Sequence, residues 1–539
     1  MKKIYIKSIF IALFSFLLIS CETTELNLQD NPNEVTPETA SARFLFNSVQ
    51  LQFEEFLGNE DSGTSESLNS LTLDYTRMTQ VFGSYAYETA RIDNIWTVAY
   101  NEVFQDALTL IPIAEAEGLS IHAGATRVLQ AYTLTTLVDL FGDIPFSEAN
   151  LGGANTNPKL DAGNDVYAAA LSILDEAIVN LLDDSAPNID NDLYFTNGDR
   201  ENWLKVANTL KLKIFLQTRL ANESASRNGI NALLQSDNLI NNASDDFAFN
   251  YLDVVTPNDS RHPIFVANYN DGSGEFMSNW YMKQFLDNND PRIRYYFYRQ
   301  QTSDPNASDI PCDALGNVEL CYIGDGYFGR DHGDNTFTTS GMFQRNTTWG
   351  VYPIGGKFDD DSEGRTSFDD GAQGAGIRPI LLSSYTNFMK AEAALTLGTT
   401  GNAGVFLEDG IRQSITKTIS FGTLGENSDT DFRPSQEDID IYVSGIMTAY
   451  NNASSTGKLN IIVRQYMFAA WGNGMEAYNV YRRTGSPSGI QSPDSDFPMG
   501  TFPRSFQYPA IVVALNQNVN QQSFTNQVFW DTNAANFID

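Results

Sequence analysis

The stretch TTLVDLFGDIPFSEA (Thr135–Ala149) sets the fold class. Its first half continues an apolar stripe formed by Leu129, Tyr132, Thr136, Leu137 and Leu140. That spacing is the mark of a helix with one buried face. Gly142 can end such a helix with a positive φ, and Pro145 bars its continuation. The segment therefore reads as a helix, a hard stop and a turn. Similar stripes lie on both sides of it. Tyr167, Leu171, Leu174, Ile178 and Leu181 recur at i, i+4, i+7, i+11 and i+14. In ENWLKVANTLKLKIFLQTRLAN (Glu201–Asn222), Trp203, Ala207, Leu210, Ile214 and Gln217 share a face. Small residues such as Ala131 and Ala207 let neighbouring helices approach closely.

The texture changes at about residue 245. From there to 376, Gly, Asp, Asn and aromatic residues rise and long stripes vanish, which predicts a loop-rich insertion with short strands or turns. Helices return in PILLSSYTNFMKAEAALTLG (Pro379–Gly398), SQEDIDIYVSGIMTAYNN (Ser435–Asn452) and LNIIVRQYMFAAWGNGMEAYNVYRR (Leu459–Arg483). The chain then reads as one discontinuous domain over 46–539. It is helical over 46–244 and 377–485, loop-rich over 245–376 and irregular over 486–539. The helices resemble tetratricopeptide-type pairs, although no clean 34-residue repeat is found.

The N-terminus is an address. MKKIYIK is basic and SIFIALFSFLLIS is apolar, but the run is shorter than the roughly 20 residues a membrane span needs. It ends in Leu18-Ile19-Ser20-Cys21, which resembles a bacterial lipobox, the alternative being a soluble secreted protein with an incidental cysteine. Residues 1–20 are then a signal peptide, Cys21 the lipidated N-terminus, and 21–45 an extended tether. Two or three acyl chains would make that anchor stable.

The 539-residue chain carries 67 acidic and 33 basic side chains, a net charge of −34, and loss of Lys2, Lys3 and Lys7 takes it to −37. Such a surface repels polyanions, which argues against nucleic acid and against heavily sulfated or uronate-rich polymers. An aromatic content of 12% separates it from disordered acidic chains. After Cys21, only Cys312 and Cys321 remain. Outside the cell they are expected to close a small loop as a disulfide, with two free thiols the alternative.

Several motifs add up to a resemblance. The opening stretch is similar to a helix-ending hallmark, Tyr/Phe-Gly-Asp-x-Pro-Tyr/Phe-x-Glu-Ala. FLDNNDPRIRYYF (Phe285–Phe297) carries Asp-Pro-Arg, LLSSYTNFMKAEAAL (Leu381–Leu395) an Ala-Glu-Ala helix, and AWGNGMEAYNVYRRTGSP (Ala470–Pro487) and FPRSFQYP (Phe502–Pro509) C-terminal signatures. Together with the lipobox they resemble the SusD/RagB family, surface glycan-binding lipoproteins of Bacteroidetes. The resemblance runs from about Asn27 to Tyr508. It implies a mostly α fold of tetratricopeptide-like helix pairs, a loop-rich variable half carrying the ligand site, and a surface-exposed position on the outer membrane. It also implies a SusC-like TonB-dependent transporter as partner and an oligosaccharide ligand that is bound and not cleaved. Some members take peptides. The hallmark residues read as scaffold, with Arg482 and Arg483 complementing a helix dipole.

Sugar binding needs flat aromatic faces together with amides, carboxylates or Arg for the hydroxyls. SGEFMSNWYMKQF (Ser273–Phe285) offers Asn279, Trp280 and Tyr281, and FQRNTTWGVYPIGG (Phe343–Gly356) offers Arg345, Trp349 and Tyr352. An exposed Trp among Asn, Gly and Ser points to use; for Trp280 and Trp349 ordinary burial under the loops is the alternative reading. In NIWTVAYNEVF (Asn94–Phe104), Trp96 and Tyr100 read first as packing, with Trp96 second as a site edge. Trp203 and Trp471 lie on helical stripes and read as core. DDDSEGRTSFDD (Asp359–Asp370) reads first as a solvated acidic loop. Second, it echoes a calcium loop through Asp359, Asp361, Glu363 and Asp370, with Asp where a bidentate Glu is usual. No cofactor is otherwise required. GNGMEA (Gly472–Ala477) has no preceding strand and is not a dinucleotide site. His122, His262 and His332 sit in no catalytic motif, and His332 reads as an exposed loop residue. A surface glycoside hydrolase remains the enzymatic alternative, since it needs only two carboxylates.

Overall fold

The computed structural model describes residues 41–58, 67–81, 83–303, 322–334, 341–424, 432–493 and 499–534. Cys21, Cys312 and Cys321 lie outside them. The first helical block comprises α1 (Ala42–Gly58), α2 (Leu68–Tyr75), α3 (Asp93–Thr97), α4 (Gln105–Ala116), α5 (Ser120–Phe141), α6 (Gly163–Leu181), α7 (Arg200–Gln217) and α8 (Glu223–Ser236). Helix α5 is buried on nearly every side, with α1, α4, α6 and α7 packed around it. An all-round apolar helix must sit in the middle of a bundle. As its sequence predicts, it stops at Gly142, whose φ is +80°.

The loop-rich middle holds β1 (Phe247–Asn250), α9 (Pro263–Asn268), α10 (Asn279–Asp287), α11 (Ile293–Tyr296), β2 (Phe297–Arg299), β3 (Thr347–Trp349) and β4 (Ile377–Leu381). Strands β1 and β4 pair antiparallel, so the two ends of the middle segment meet. Strands β2 and β3 form a second antiparallel pair inside it. Pro379–Leu381, expected to open a helix, instead belong to β4; Pro379 sits opposite Ala248.

The second helical block comprises α12 (Ser383–Leu397), α13 (Ala403–Ser420), α14 (Gln436–Asn452), α15 (Ser455–Ala469) and α16 (Gly474–Thr484), followed by the short α17 (Ala510–Leu515). The mostly helical fold stacks tetratricopeptide-like pairs, α5/α6, α7/α8, α12/α13 and α14/α15, among the described residues. Helix α6 rests on α7, α7 and α8 on α12, and α13 on α14. The expected single helix Leu459–Arg483 is broken. Gly472 has φ +87°, and Asn69 bridges the break by donating to Gly472 O (3.2 Å) and accepting from Gly474 N (2.9 Å). Only glycine fits at 474, because a Cβ there would lie 2.3 Å from Leu73 N. Among the described residues, no helix is long and apolar enough to cross a membrane.

Among the described residues, two hydrophobic cores result. One unites the first helical block with the tail, and the other unites the loop-rich middle with the second block. The tail is irregular, as expected, but it is not peripheral. Phe502, Phe506, Tyr508, Val528 and Trp530 are buried in the first core. Arg482 and Arg483 do more than face a dipole. Arg483 makes a two-pronged ion pair with Glu392 of α12 (2.8 and 2.7 Å), and Arg482 lies 4.0 Å from the Tyr478 ring centroid. Burial alone would raise the Glu392 carboxyl, but Arg483 and Arg219 hold it below the usual range.

Candidate ligand-binding site

The most distinctive backbone feature lies between α3 and α4. Val98–Phe104 forms a π-helical segment of 7 residues. Wide turns of this kind recur at functional sites. Trp96 at the end of α3 and Tyr100 within the segment stack with centroids 5.0 Å apart and planes 26° apart. Phe141, the last residue of α5, meets the Trp96 ring edge-on at 5.2 Å, and Tyr508 of the tail does so at 6.2 Å. The hallmark turn completes the support. Tyr100 donates its hydroxyl proton to Pro145 O (2.7 Å), and the Asn150 amide donates to Tyr100 O (2.7 Å). The turn is itself fixed by Asp161, whose carboxylate accepts from Phe146 N (2.9 Å) and from Ser147 N and Oγ (2.7 Å each).

A third wall comes from the tail. Ile511 N donates to Asp93 Oδ1 (2.9 Å), Tyr508 Oη to Asp143 O (2.7 Å), and Asn516 Nδ2 to Pro158 O (2.8 Å). Segments near residues 100, 150 and 512 thus enclose a pocket of about 400 Å³. Trp96 and Tyr100, 8% and 9% exposed, form part of its floor with Pro145 and Val512. Asn101 and Gln105 supply exposed amides, Asn150, Asn155 and Asn516 line the pocket with amides that donate to Tyr100 O, Glu148 and Pro158 O, and Ile511 and Leu515 supply an aliphatic rim. Among the described residues, no charged side chain lines it. Burial, reinforced by Tyr508 and Asp161, pushes the Tyr100 hydroxyl well above its ordinary pKa, so the lining stays uncharged. Flat rings and amides without charge suit an uncharged, hydroxyl-rich ligand that offers a C–H face.

A second pocket, also about 400 Å³, is lined by Tyr194, Phe195, Asp199, Asp245, Asp246 and Lys417. Two of its carboxylates are already paired, and Asp199 caps α7 by accepting from Glu201 N (3.0 Å). Lys205 pairs with Asp245 (2.7 Å), Lys417 with Asp246 (3.0 Å), and Ser383 N donates to Asp246 Oδ1 (2.7 Å).

Of the seven residues expected from sequence to touch ligand, Trp96 lines the first pocket. The others sit elsewhere. Trp349 is fully buried, donates its indole N–H to Glu275, and packs on Trp471 at 4.2 Å. Tyr281 and Tyr352 are equally buried, with Tyr281 stacked on Trp471 and Tyr352 on Tyr296. Trp280 is buried and donates to Gly489 O (3.0 Å). Asn279 is buried, bonding Asp331 (3.2 Å) and Gly329 N (2.8 Å). Arg345, half-buried, donates to Gly341 O (3.1 Å). The correction has a simple cause. Gly- and Asn-rich loops wrap the second core, so an aromatic residue in a polar stretch is here a residue pointing inward.

In the acidic loop the carboxylates have partners within the protein. Arg299 grips Asp359 through Nε (2.7 Å) and Nη2 (2.9 Å), and Arg294 takes Asp361 (2.9 Å). Glu363 accepts from Thr302 N (3.3 Å) and Asp370 from Ser367 N (2.8 Å). Arginine thus meets Asp359 and Asp361, and backbone N–H groups meet Glu363 and Asp370. Among the described residues, no group of three or more His, Cys, Asp or Glu could hold a metal ion. His332 is buried, not exposed, with Nε2 2.9 Å from Tyr85 Oη. Tyr100, the amide fringe and α17 were missed in the sequence. The only signal was the i, i+4 pair in NIWTVAYNEVF, since nothing local shows that residue 511 reaches residue 93.

Comparison with known proteins adds a family. Residues 32–509 match the model of the SusD-like family described as "Starch-binding associating with outer membrane". No curated protein matches the chain. Among solved structures, a SusD/RagB family protein from Bacteroides thetaiotaomicron is similar at 20% identity and a TM-score of 0.66, covering 92% of this chain and 100% of that one. A chitin-binding protein is similar at 18% identity and a TM-score of 0.65, with the same coverage. A chitin-binding SusD homologue from Flavobacterium johnsoniae is similar at 18% identity and 0.59, covering 91% and 98%. At such identities these likenesses speak to the fold.

Proposed function

The chain belongs to the SusD-like family of starch-binding, outer-membrane-associated proteins, and on that premise we propose that it captures uncharged oligosaccharides in the Trp96–Tyr100 pocket. Its role is binding without catalysis. It is held to the cell surface by lipid on Cys21, and it delivers its ligand to a SusC-like TonB-dependent transporter. The glycan reading draws on the family description, which names starch, and on solved structures named for binding chitin. The observation that carries it is the charge-free pocket. In a chain of net charge −34, a site of about 400 Å³ with stacked rings in its floor, a fringe of amides and, among the described residues, no ionised side chain matches a neutral sugar chain.

Affinity electrophoresis of the mature chain through gels containing neutral polysaccharides tests this. Retardation is expected with a neutral polymer, insensitive to salt between 10 mM and 1 M, and absent with a uronate polymer. It is expected to be lost in Trp96→Ala and kept in Trp280→Ala. Retardation indifferent to both Trp96→Ala and Tyr100→Ala would overturn the site. Cys21→Ala is expected to free the protein from the membrane fraction while leaving retardation unchanged.

A further inference from the structure

The pocket exposes its apolar surface in an unexpected place. The ring floor is nearly closed, with Trp96 and Tyr100 each under a tenth exposed, while Leu515 is 70% and Ile511 37% exposed. Both belong to α17, and Val512 between them is buried. Helix α17 is pinned at both ends, by Asp93 accepting from Ile511 N and by Asn516 donating to Pro158 O. The two aliphatic side chains are therefore held at the pocket, not swept over it. Exposed single leucines are ordinary, but two side by side on a pocket rim offer the ligand a branched apolar contact.

An unsubstituted hexose chain has little use for that contact. Its C–H faces are flat and pair with rings, and its edges are hydroxyls. An acetyl substituent does use it, since its methyl packs on aliphatic carbon while its carbonyl accepts from an amide. Asn101 and Gln105, both exposed at the same pocket, provide such amides. Removing the acetyl from an amino sugar would leave an ammonium group, and no lining carboxylate meets one. We propose that the pocket selects acetylated neutral glycans, with Leu515 and Ile511 as specificity-determining residues. This rests on the pocket being the glycan site. The acetyl group can be N-linked or O-linked, and matched ligands separate the two.

Calorimetric titration of the mature chain with two twin pairs tests the proposal. Chitohexaose and cellohexaose share a β-1,4 backbone and differ at the acetamido group. Acetylated xylo-oligosaccharides and the same material after alkaline deacetylation differ in O-acetyl groups. In at least one pair, the acetylated twin is expected to bind about tenfold tighter, the worth of covering most of one exposed leucine. Leu515→Ser, a change at an exposed position, is expected to bring that ratio within about twofold. Equal binding of both twins that still falls in Trp96→Ala would overturn the acetyl proposal and leave the site standing. A tenfold ratio that survives both Leu515→Ser and Ile511→Ser would also overturn it. Binding unaffected by Trp96→Ala would instead overturn the site itself.

Discussion

Replacing Asp139 should unfasten the floor of the pocket from beneath. Asp139 lies in α5, two residues before the Phe141 that supports Trp96, and is fully buried. Its carboxylate collects donors from three separate parts of the chain. Oδ1 accepts from the Tyr167 hydroxyl of α6 and from Trp530 Nε1 of the tail (2.9 Å), and Oδ2 accepts from Asn479 Nδ2 of α16 (2.9 Å). Asp139→Ala leaves three buried donors without an acceptor. Each orphaned group costs about 1–3 kcal/mol, and neighbours share their relaxation, so about 3–6 kcal/mol is expected. That is a large part of the ~5–15 kcal/mol that typically holds a domain together. Asp139→Asn keeps Oδ1 for two donors but sets an amide against Asn479, whose own Oδ1 already accepts from Arg482 (2.7 Å). Its cost should be about 1–3 kcal/mol. Urea unfolding followed by tryptophan fluorescence measures both. The expected order of stability is wild type, then Asn, then Ala. If Asp139→Ala lies within about 1 kcal/mol of wild type, the three hydrogen bonds do not fasten these elements and the reasoning fails.

Two further outcomes follow from buried groups. His122 in α5 sits edge-on to Phe46 at 5.5 Å; among the described residues its Nδ1 has no hydrogen-bond partner, and burial, helped by Arg43, lowers its pKa to about 4. A depressed histidine pKa gives stability that is present above the unfolded value near 6.5 and is lost as pH falls towards 4. The loss amounts to at most about 3 kcal/mol. Urea midpoints at pH 7 and pH 4.5 should therefore fall less in His122→Leu than in wild type, and parallel falls would refute the assignment. Trp349→Ala should cost about 3–5 kcal/mol of stability by emptying a core site, yet leave glycan affinity unchanged wherever the protein remains folded. A tenfold loss of affinity without destabilisation would return Trp349 to the binding surface.

The helices were legible because amphipathic periodicity is local. Trp203, Ala207, Leu210, Ile214 and Gln217 share a face by spacing alone, and all are buried. The stop at Gly142 and Pro145 was legible for the same reason, because φ preference and a missing N–H act within a few residues. The break at Gly472 was not, because it depends on Asn69, some 400 residues earlier in the chain. Of the hallmark arginines seen as dipole partners, Arg483 proved to be a buried ion-pair member, since its partner Glu392 arrives from a different helix pair, and Arg482 proved to donate to Asp139 O and Arg504 O.

The binding site divides along the same line. The sequence by itself determined the class of molecule: paired helices, a loop-rich middle and a strongly acidic composition. It also placed Trp96 and Tyr100 one helical turn apart. It could not determine which aromatic residues face outward. Trp349 and Trp280 stand in polar, glycine-rich text, but whether such a loop lies over a core or over solvent depends on what packs beneath it. Only the tertiary structure decided that. The same holds for the pocket, whose walls come from residues near 100, 150 and 512. Chain segments that far apart are joined by hydrogen bonds such as Ile511 N to Asp93, and no local pattern records them.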